Sequence, residues 1–273
     1  MHITQRTVSI LFIIIFIISC KKTTDSEPVA VTFPDINFET VIRETLNKLT
    51  GDITADDLES ITMLNGENRN ISVITGIEFC TNLQFLYLAT NQIGDISALN
   101  NLTNLLRLDL WENNIYNIGV LGNLTNLQFL ILGYNQISDI SILSQLTNLT
   151  YLTLHNNQIS NISSLSNLTN LQSLYLGENQ ISDISSLSSL ISLRELYLFY
   201  NQISNIEPLV QNSGIGSGDL VDLCNNPLSY NSSIIQLEAR GVTVYYGDCY
   251  IHSSIGKTDL SNTGKCFLNT KQN

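Results

Sequence analysis

The stretch NLQFLILGYNQISDISILSQLT, residues 126–147, returns as NLQSLYLGENQISDISSLSSLI at residues 170–191. The pattern L-x-x-L-x-L-x-x-N-x-I-x-x-I-x-x-L-x-x-L that both copies share continues from Leu83 to about Val210. Its asparagine recurs every 22 residues, at Asn91, Asn113, Asn135, Asn157, Asn179 and Asn201. Self-similarity with a period of about 20–50 residues indicates a solenoid, in which each coil packs only against its neighbours.

The repeated pattern resembles the leucine-rich-repeat signature, whose period is about 20–29 residues. The 22-residue form containing Gln-Ile-Ser-Asp-Ile is similar to the repeats of bacterial internalin-like proteins, over roughly residues 33 to 246. The resemblance implies an α/β repeat solenoid of horseshoe shape, with a parallel concave sheet, a 3₁₀-like convex side and a helical N-terminal cap. It also implies repeats displayed at a surface, which grip a protein ligand through the concave side.

The spacing of apolar residues within one copy predicts how a coil packs. Leu86 and Leu88 lie two residues apart, which turns both side chains of a strand to the interior. From Ile93 to Leu102 every third residue is apolar, a spacing that suits a 3₁₀-like return on the convex side. We therefore expect each short strand to pair in parallel with its counterpart 22 residues away, and no coil to be stable alone.

Two polar columns along the repeats are interpreted as structural. The asparagine of each copy follows the strand, where amide donors and acceptors can satisfy backbone groups inside the solenoid. A second column is expected to cap the start of each convex segment, as short polar side chains do. It comprises Asp95, Asn117, Asp139, Asn161, Asp183 and Asn205. Adjacent coils supply too few carboxylates for a calcium cage, so the sequence predicts no metal site.

The ends of the array depart from the repeat and are predicted to be caps. Residues 33–60 place apolar side chains at helical spacing and then offer Thr54 as an N-cap followed by acidic residues. The leucine-rich repeats are assigned to residues 61–228, with a degenerate first copy. Residues 229–249 are expected to form a C-terminal cap with a helix and a closing strand, and residues 250–273 an irregular tail.

The N-terminal segment is typical of export. Residues 1–19 contain an apolar run at 8–18, shorter than the roughly 20 residues that span a bilayer, and fit a signal peptide. The run ends in Ile-Ile-Ser followed by Cys20, which resembles a bacterial lipobox and implies cleavage before Cys20 and its acylation. Lys21 stands where an inner-membrane retention signal has Asp, which favours the outer membrane or cell surface. Residues 20–32 then read as a lipidated tether; an ordinary signal peptide with an incidental cysteine is the alternative.

The composition excludes several classes of function. Acidic residues outnumber basic ones 24 to 12, which gives a net charge of −12, and no basic run is present. Nucleic acid is therefore not expected as a partner, since phosphate neutralisation requires clustered Lys and Arg. The sequence contains no HExxH, GxSxG or Walker motif. We accordingly predict no catalytic residue, no cofactor and no enzymatic activity.

The five cysteines have different expected roles. Cys20 is assigned to lipid, and Cys80 takes a leucine position of the repeat, where it is expected to be a buried thiol. Cys224, Cys249 and Cys266 remain, in an exported protein where disulfides are permitted. Three cysteines cannot all pair. A Cys249–Cys266 bond is slightly preferred because it would tie the tail to the closing strand.

The concave face is the predicted functional surface. Side chains that flank the inward leucines vary from coil to coil and are rich in aromatics, which are enriched in binding hot spots. We expect them to point away from the leucine core, and we expect His155 to be a surface residue. The predicted ligand-binding residues are Phe85, Tyr87, Trp111, Phe129, Tyr134, Tyr151, His155, Tyr175, Tyr197, Phe199 and Tyr200. The alternative is that these aromatics are good strand formers that stack between coils.

Together these features predict a lipid-anchored, exported protein-binding module of the bacterial cell envelope. About eight strands roughly 4.8 Å apart give a face about 35 Å long, enough to bury roughly 800 Å² per partner. Two alternatives stay open. Aromatics also stack on sugars, so the ligand could be a glycan, and the chain could instead be a structural or self-associating envelope component.

Overall fold

A computed structural model describes residues 29–249. The predicted leader, Cys20, most of the tether, Cys266 and the tail at 250–273 lie outside the described residues, and the boundaries assigned to the segments remain predictions. In the described part of the chain, nine strands of three residues each form one parallel sheet in sequence order. They are β1 (Met63–Asn65), β2 (Phe85–Tyr87), β3 (Arg107–Asp109), β4 (Phe129–Ile131), β5 (Tyr151–Thr153), β6 (Ser173–Tyr175), β7 (Glu195–Tyr197), β8 (Leu220–Asp222) and β9 (Thr243–Tyr245).

Short 3₁₀ turns return the chain from one strand to the next. Within the described residues they lie at Ile77–Phe79, Ser97–Leu99, Gly119–Asn123, Ser141–Gln145, Ser163–Asn167 and Ser185–Ser189. Four helices complete this part of the chain: α1 (Ile36–Leu46), α2 (Ala55–Glu59), α3 (Glu207–Gln211) and α4 (Ser232–Ala239). The predicted fold class, a solenoid with a parallel sheet, a 3₁₀ convex side and a helical N-terminal cap, is confirmed.

The core runs the whole length of the array as stacked layers of Leu and Ile. In each coil the central strand residue is buried, as Leu86 and Leu108 are, and the apolar residues of the 3₁₀ side close the layer from behind. Strand pairing keeps the layers in register, since Leu86 pairs with Leu108 and Leu108 with Leu130. Cys80 is a free, fully buried thiol in the leucine column, as predicted.

The asparagine column satisfies the backbone between coils, which confirms its structural interpretation. Asn157 Nδ2 donates to the carbonyls of Leu132, Leu154 and His155 at 3.0, 3.0 and 3.3 Å. Its Oδ1 accepts a hydrogen bond from the backbone N–H of Ile137 at 2.9 Å. Equivalent contacts recur in the neighbouring coils. The side chain therefore fills the gap that the turn after each strand leaves in the backbone network.

The second polar column also behaves as predicted. Asp139 Oδ1 accepts a hydrogen bond from the backbone N–H of Ser141 at 2.8 Å, and Asn161 Oδ1 accepts one from Ser163 at 2.9 Å. Each bond caps the first N–H of a 3₁₀ turn, which has no partner within the turn itself. The convex side is thus held by one short polar side chain per coil.

The N-terminal cap is fastened to the first coil through Asp35. Its Oδ1 accepts hydrogen bonds from the N–H groups of Asn37 and Phe38, which caps α1. Its Oδ2 accepts bonds from the backbone of Ser72 and Val73 at 2.7 and 3.1 Å. Burial alone would raise the pKa of Asp35, but these backbone hydrogen bonds outweigh it and lower the pKa. One carboxylate therefore joins the capping helix to the repeats.

The disulfide at the C-terminal end corrects the sequence-based preference. Cys249 pairs with Cys224, with their α-carbons 5.5 Å apart, and not with Cys266. Cys224 follows β8 and Cys249 follows β9, and these strands are neighbours in the sheet. Residues that follow adjacent strands come together in a solenoid, which the sequence argument from the loose tail did not take into account. The bond fastens the closing strand to the last full coil.

Candidate binding face

The concave face is defined as the side of β2–β7 that points away from the leucine core, together with the residues that immediately follow each strand. In-register pairing stacks equivalent positions of successive coils, so Arg107, Phe129 and Tyr151 are neighbours in one column. Side chains far apart in sequence thereby form continuous rows across the strands. The predicted site residues lie in two such groups.

The first group is an aromatic row that crosses the sheet from β4 to β7. Phe129 stacks on Tyr151 with ring centroids 6.1 Å apart, and Tyr151 contacts Tyr175 at 5.4 Å. Tyr175 and Tyr197 are stacked at 4.5 Å with their planes 9° apart. Burial raises the pKa of Tyr151 and of Tyr197 to about 12 and also raises that of Tyr175. The row therefore presents neutral rings with protonated hydroxyls at any ordinary pH.

The second group is a tryptophan cluster formed by Trp111, Tyr134 and His155. The indole ring lies 4.8 Å from the Tyr134 ring and 4.3 Å from the His155 ring, and Tyr134 meets His155 edge-on at 5.2 Å. Gly133 lies beneath it: a Cβ added there would stand 2.7 Å from both the indole and the imidazole. The glycine of the middle coil thus leaves the space in which the flanking rings meet.

Glycine and aromatic residues alternate along the column that contains this cluster. Going from coil to coil the residues are Trp111, Gly133, His155, Gly177 and Phe199. A Cβ on Gly177 would collide with the Phe199 ring, as one on Gly133 would with Trp111 and His155. Rings in this column therefore occupy the space above the glycines of neighbouring coils.

This alternation makes the prediction of a surface His155 wrong. Its side chain is only 4% exposed, and Nδ1 shares a hydrogen bond of 2.8 Å with Thr153 Oγ1. Nε2 is buried and has no hydrogen-bond partner among the described residues. Burial lowers the pKa of His155 to about 4, so the imidazole is neutral near pH 7. The sequence argument missed the glycines of the neighbouring coils, which let the rings close over the histidine.

The remaining predicted residues differ in how much surface they offer to a ligand. Phe129 and Tyr200 are the most open, at 37% and 47% exposed, whereas Tyr175 and Phe199 are buried. Trp111, Tyr134, Tyr151 and Tyr197 are half-buried, as are Phe85 and Tyr87 at the N-terminal end of the face. Phe199 packs edge-on against Tyr200 at 6.2 Å. The aromatics therefore contact one another between coils, as the alternative interpretation expected, and the binding role of their exposed edges remains a prediction.

Two charged residues of this face were not among the predicted site residues. Arg107 lies between the rings of Tyr87 and Phe129, with its guanidinium carbon 5.5 Å from each ring centroid. Glu195 Oε2 accepts hydrogen bonds from Ser173 Oγ and Tyr175 Oη, both at 3.1 Å. A signal was present in the sequence: both occupy the strand position that holds Phe129 and Tyr151 in other coils.

The rim of the face is formed by a turn residue with positive φ in each coil. Glu112, Tyr134, Glu178 and Tyr200 have φ of 52, 54, 55 and 50°, in the left-handed region that non-glycine residues seldom adopt. Glu112 accepts a hydrogen bond from Thr90 Oγ1 at 3.0 Å, and Glu178 accepts one from Asn156 Nδ2 at 2.7 Å. These contacts between coils hold the rim side chains in place beside the face.

A metal-binding cluster and a membrane-spanning helix are both absent from the described part of the chain. No group of three or more His, Cys, Asp or Glu side chains that could hold a metal occurs within residues 29–249. Over the same residues, no helix combines the length and the hydrophobicity needed to cross a bilayer.

Comparisons with known proteins place this geometry in a family. The family model for leucine-rich repeats (two copies) matches residues 81–123, 125–167 and 169–211. Internalin C2 from Listeria monocytogenes is 34% identical and superimposes with a TM-score of 0.73, over 78% of this chain and 94% of that one. Another Listeria monocytogenes internalin, inlF, is 35% identical with a TM-score of 0.65, over 80% of this chain and 72% of that one.

A more distant structure carries a bound ligand. A plant peptide hormone receptor solved in complex with RGF2 is 28% identical, with a TM-score of 0.55, over 64% of this chain and 30% of that one. The curated proteins include no match to the chain. Identity above 30% with the two internalins, over most of their length, agrees with the repeat pattern and the sheet. The chain belongs to the internalin-type leucine-rich-repeat proteins.

Proposed function

We propose that this chain is a protein-binding module that holds its ligand on the concave face of the solenoid. The observation that carries the proposal is the aromatic row, a continuous line of ring contacts from Phe129 to Tyr197 in which Phe129 is exposed, Tyr151 and Tyr197 are half-buried and Tyr175 is buried. Contiguous apolar surface of this kind marks interaction sites, and Tyr and Trp dominate their energetics. The peptide hormone receptor in complex with RGF2 gives a precedent for a ligand on a repeat protein of this fold.

The rigidity of the face supports binding and argues against catalysis. Inter-coil stacking and the asparagine bonds fix the side chains before a ligand arrives, which reduces the entropy lost on association. The buried His155 has no carboxylate partner among residues 29–249, and the Trp111 ring packs against it, so it has neither the access nor the pKa of a general base at neutral pH. The face therefore offers shape and contact area, which suit recognition.

We propose further that the module is exported and attached to the bacterial envelope through lipid on Cys20. Support comes from the sequence alone: the apolar run at 8–18 followed by Ile-Ile-Ser-Cys. Several acyl chains hold a protein on a bilayer where a single chain is marginal. Cys20→Ala should leave the precursor uncut or release the protein from membranes. Normal processing and unchanged partition into detergent would refute the anchor without touching the binding proposal.

Glycan binding remains a second candidate because of a separate feature. A shallow groove of about 490 Å³ runs beside the strands where each coil enters the sheet, and amide and hydroxyl groups dominate its lining. Asn126, Gln128, Asn148 and Gln172 are among the lining residues. Neutral hydrogen-bonding groups of this kind suit sugar hydroxyls. Substitution of Gln128 and Gln172 by alanine separates the two candidates, because only glycan binding should be lost.

The experiment for the main proposal is differential capture. The immobilised full chain and a Trp111→Ala, Tyr151→Ala variant are exposed to the same envelope and host-surface extracts. A ligand of the concave face is retained by the wild type and by a convex control, Ser163→Ala with Ser185→Ala, but not by the aromatic variant. Equal retention by all three proteins would place binding elsewhere on the molecule.

A further inference from the structure

Arg107 is a cation on the concave face that forms no salt bridge within residues 29–249. The carboxyl of Asp109, two residues along β3, interacts with its charge, but burial raises the pKa of that carboxyl. The described residues include five other basic side chains, four of which form salt bridges: Arg43 with Glu39, Lys48 with Asp57, Arg69 with Glu44 and Arg194 with Asp219. The fifth, Arg240, donates to the carbonyl of Asn212. Arg107 has neither kind of bond in this part of the chain, and its Nε is buried without a hydrogen-bond partner.

The two rings beside Arg107 determine which part of it remains available. Tyr87 and Phe129 each place a ring centroid 5.5 Å from the guanidinium carbon. Cation–π contacts of this kind hold the charge in position but donate none of its N–H bonds. The terminal nitrogens therefore remain free for a carboxylate, which a planar guanidinium binds through two parallel hydrogen bonds.

Glu195 is the opposite case, an anion with only neutral partners. Both of its hydrogen bonds, from Ser173 Oγ and Tyr175 Oη, go to Oε2. Oε1 accepts none from the described residues, and none of the salt bridges found there includes Glu195. The stacked rings of Tyr175 and Tyr197 lie beside this carboxylate. A carboxylate next to aromatic faces suits an ammonium or guanidinium group.

The two charges lie in one column of the sheet at a defined separation. Arg107 is the first residue of β3 and Glu195 the first residue of β7. Four strand spacings of about 4.8 Å place them about 19 Å apart. The aromatic row covers the interval, through Phe129, Tyr151 and Tyr175. The face thus offers a basic point, an apolar stretch and an acidic point, in that order.

From this arrangement we infer that the protein ligand lays one segment across the strands, with an acidic side chain on Arg107, apolar side chains on the aromatic row and a basic side chain on Glu195. The inference rests on the proposed function and specifies its ligand. An extended segment advances about 3.3 Å per residue, so its two charges would be about six residues apart. A helical segment advances about 1.5 Å per residue and would separate them by about thirteen.

Charge complementarity favours this ligand over one of uniform charge. A wholly basic segment would suit the rim acids Glu112 and Glu178 but would set a like charge against Arg107. A wholly acidic segment would set a like charge against Glu195. Like charges brought together and desolvated select strongly against a wrong partner. A neutral glycan would leave both charges uncompensated.

The test selects peptides and then measures their dependence on the two charges. Random peptides of about sixteen residues, long enough to hold two charges at either the extended or the helical separation, are displayed and selected on the immobilised full chain. Selected peptides are synthesised with a fluorescent label and titrated against wild type, Arg107→Gln and Glu195→Gln. Arg240→Gln and Glu238→Gln, at the C-terminal helix and off the face, are matched controls. Thermal melts establish that each variant is folded. Arg107→Lys keeps the positive charge but removes the planar guanidinium group.

The expected result has three parts. Selected peptides carry an acidic and a basic residue at one of the two separations given above, with apolar residues between them. Arg107→Gln and Glu195→Gln each weaken binding at least tenfold and reduce its salt dependence, and Arg107→Lys loses less than Arg107→Gln. The two control variants bind like the wild type.

The other outcomes distinguish the inferred ligand from the proposed function. Peptides that require Tyr151 but tolerate both charge substitutions would overturn the inference and leave the proposed function standing. Failure to select any peptide would count against both. Dimers of the chain alone that Arg107→Glu abolishes and Arg107→Glu with Glu195→Arg restores would assign the two charges to a second copy and overturn the inference.

Discussion

The rings of Trp111 and His155 meet 4.3 Å apart over Gly133, although the strands that precede them, β3 and β5, are not neighbours. The middle coil contributes no side chain at this point, so the flanking rings close the gap. A part of the proposed recognition surface is therefore also a small satellite core. Substitutions there should affect stability as well as binding, so the packing of these rings can be tested by measuring unfolding.

Gly133→Ala is expected to destabilise the protein because its Cβ would lie 2.7 Å from both rings. Overpacking of this kind typically costs about 1–3 kcal/mol. Trp111 is the only tryptophan of the chain, so its fluorescence reports the displacement directly. Gly216→Ala is the matched control, since a Cβ there has no neighbour within 4 Å. Equal melting temperatures and equal emission spectra for the two variants would show that the rings do not pack over Gly133.

His155 should make stability depend on pH between about 6.5 and 4. Burial lowers its pKa from 6.5 to about 4, so the unfolded chain takes up this proton at a higher pH than the folded chain does. The stabilising effect is complete above about 6.5 and is lost as the pH falls, with a total of about 3 kcal/mol.

The measurement is a series of urea unfolding curves between pH 7.5 and 4. His155→Phe keeps a ring in a column that already holds Phe199, but it removes the titration. The variant should lose less stability than the wild type over this range. Parallel pH profiles for the two proteins would mean that the imidazole is accessible to protons in the folded state.

Asn157→Ala should lower the free energy of unfolding by about 1–3 kcal/mol, because it leaves buried backbone groups of Ile137, Leu132 and Leu154 without a partner. Asn148→Ala is the control. That side chain is exposed and donates one bond, to the carbonyl of Thr125, so its loss should cost about 0.5 kcal/mol or less. If Asn157→Ala lowers the free energy of unfolding as little as Asn148→Ala does, the structural role of the asparagine column is contradicted.

Reduction of the Cys224–Cys249 bond should destabilise the C-terminal coils. The bond closes a loop of 25 residues in sequence separation, and such bonds contribute about 2–4 kcal/mol. Peptide mapping without reductant should recover the two cysteines in one linked fragment, and Cys249→Ser should melt earlier than the wild type. A Cys249–Cys266 fragment would instead restore the pairing preferred from the sequence.

The fold could be predicted from the sequence because every repeat contains the same pattern of residues. Six copies in register define which leucines face inward, which asparagine follows the strand and which polar residue caps the convex turn. Two of these features are local in sequence: the two-residue spacing of Leu86 and Leu88, and the apolar residue at every third position after Ile93. The structure contains both, as a buried strand pair and a 3₁₀ turn. Local periodicity determines the packing of a solenoid almost completely, since each coil meets only its neighbours.

The binding face was harder to predict because it depends on pairs of coils. An outward position does not establish exposure: His155 and Phe199 point away from the leucines and are nonetheless buried, since each lies over a glycine of a neighbouring coil. The roles proposed for Arg107 and Glu195 likewise rest on the three-dimensional structure, which shows that neither residue forms a salt bridge within residues 29–249. The disulfide pairing was also hard to predict from the sequence, since it depends on which strands are adjacent in the sheet.

The central claim is that the concave aromatics recognise a protein, and the dissociation constant of a captured ligand tests it most directly. Trp111→Ala combined with Tyr151→Ala removes one ring from each aromatic group of the face. Because both rings pack against neighbours, some loss of stability is expected, and binding is measured well below the melting temperature of the variant. The convex control, Ser163→Ala with Ser185→Ala, has both substitutions on exposed side chains of the 3₁₀ turns.

We expect the aromatic variant, while still folded, to bind the captured protein at least tenfold more weakly than the wild type, since central aromatics of an interface typically contribute about 2 kcal/mol or more. The convex control should keep the wild-type dissociation constant. An unchanged dissociation constant for the folded aromatic variant, or a weaker one for the convex control, would contradict the account.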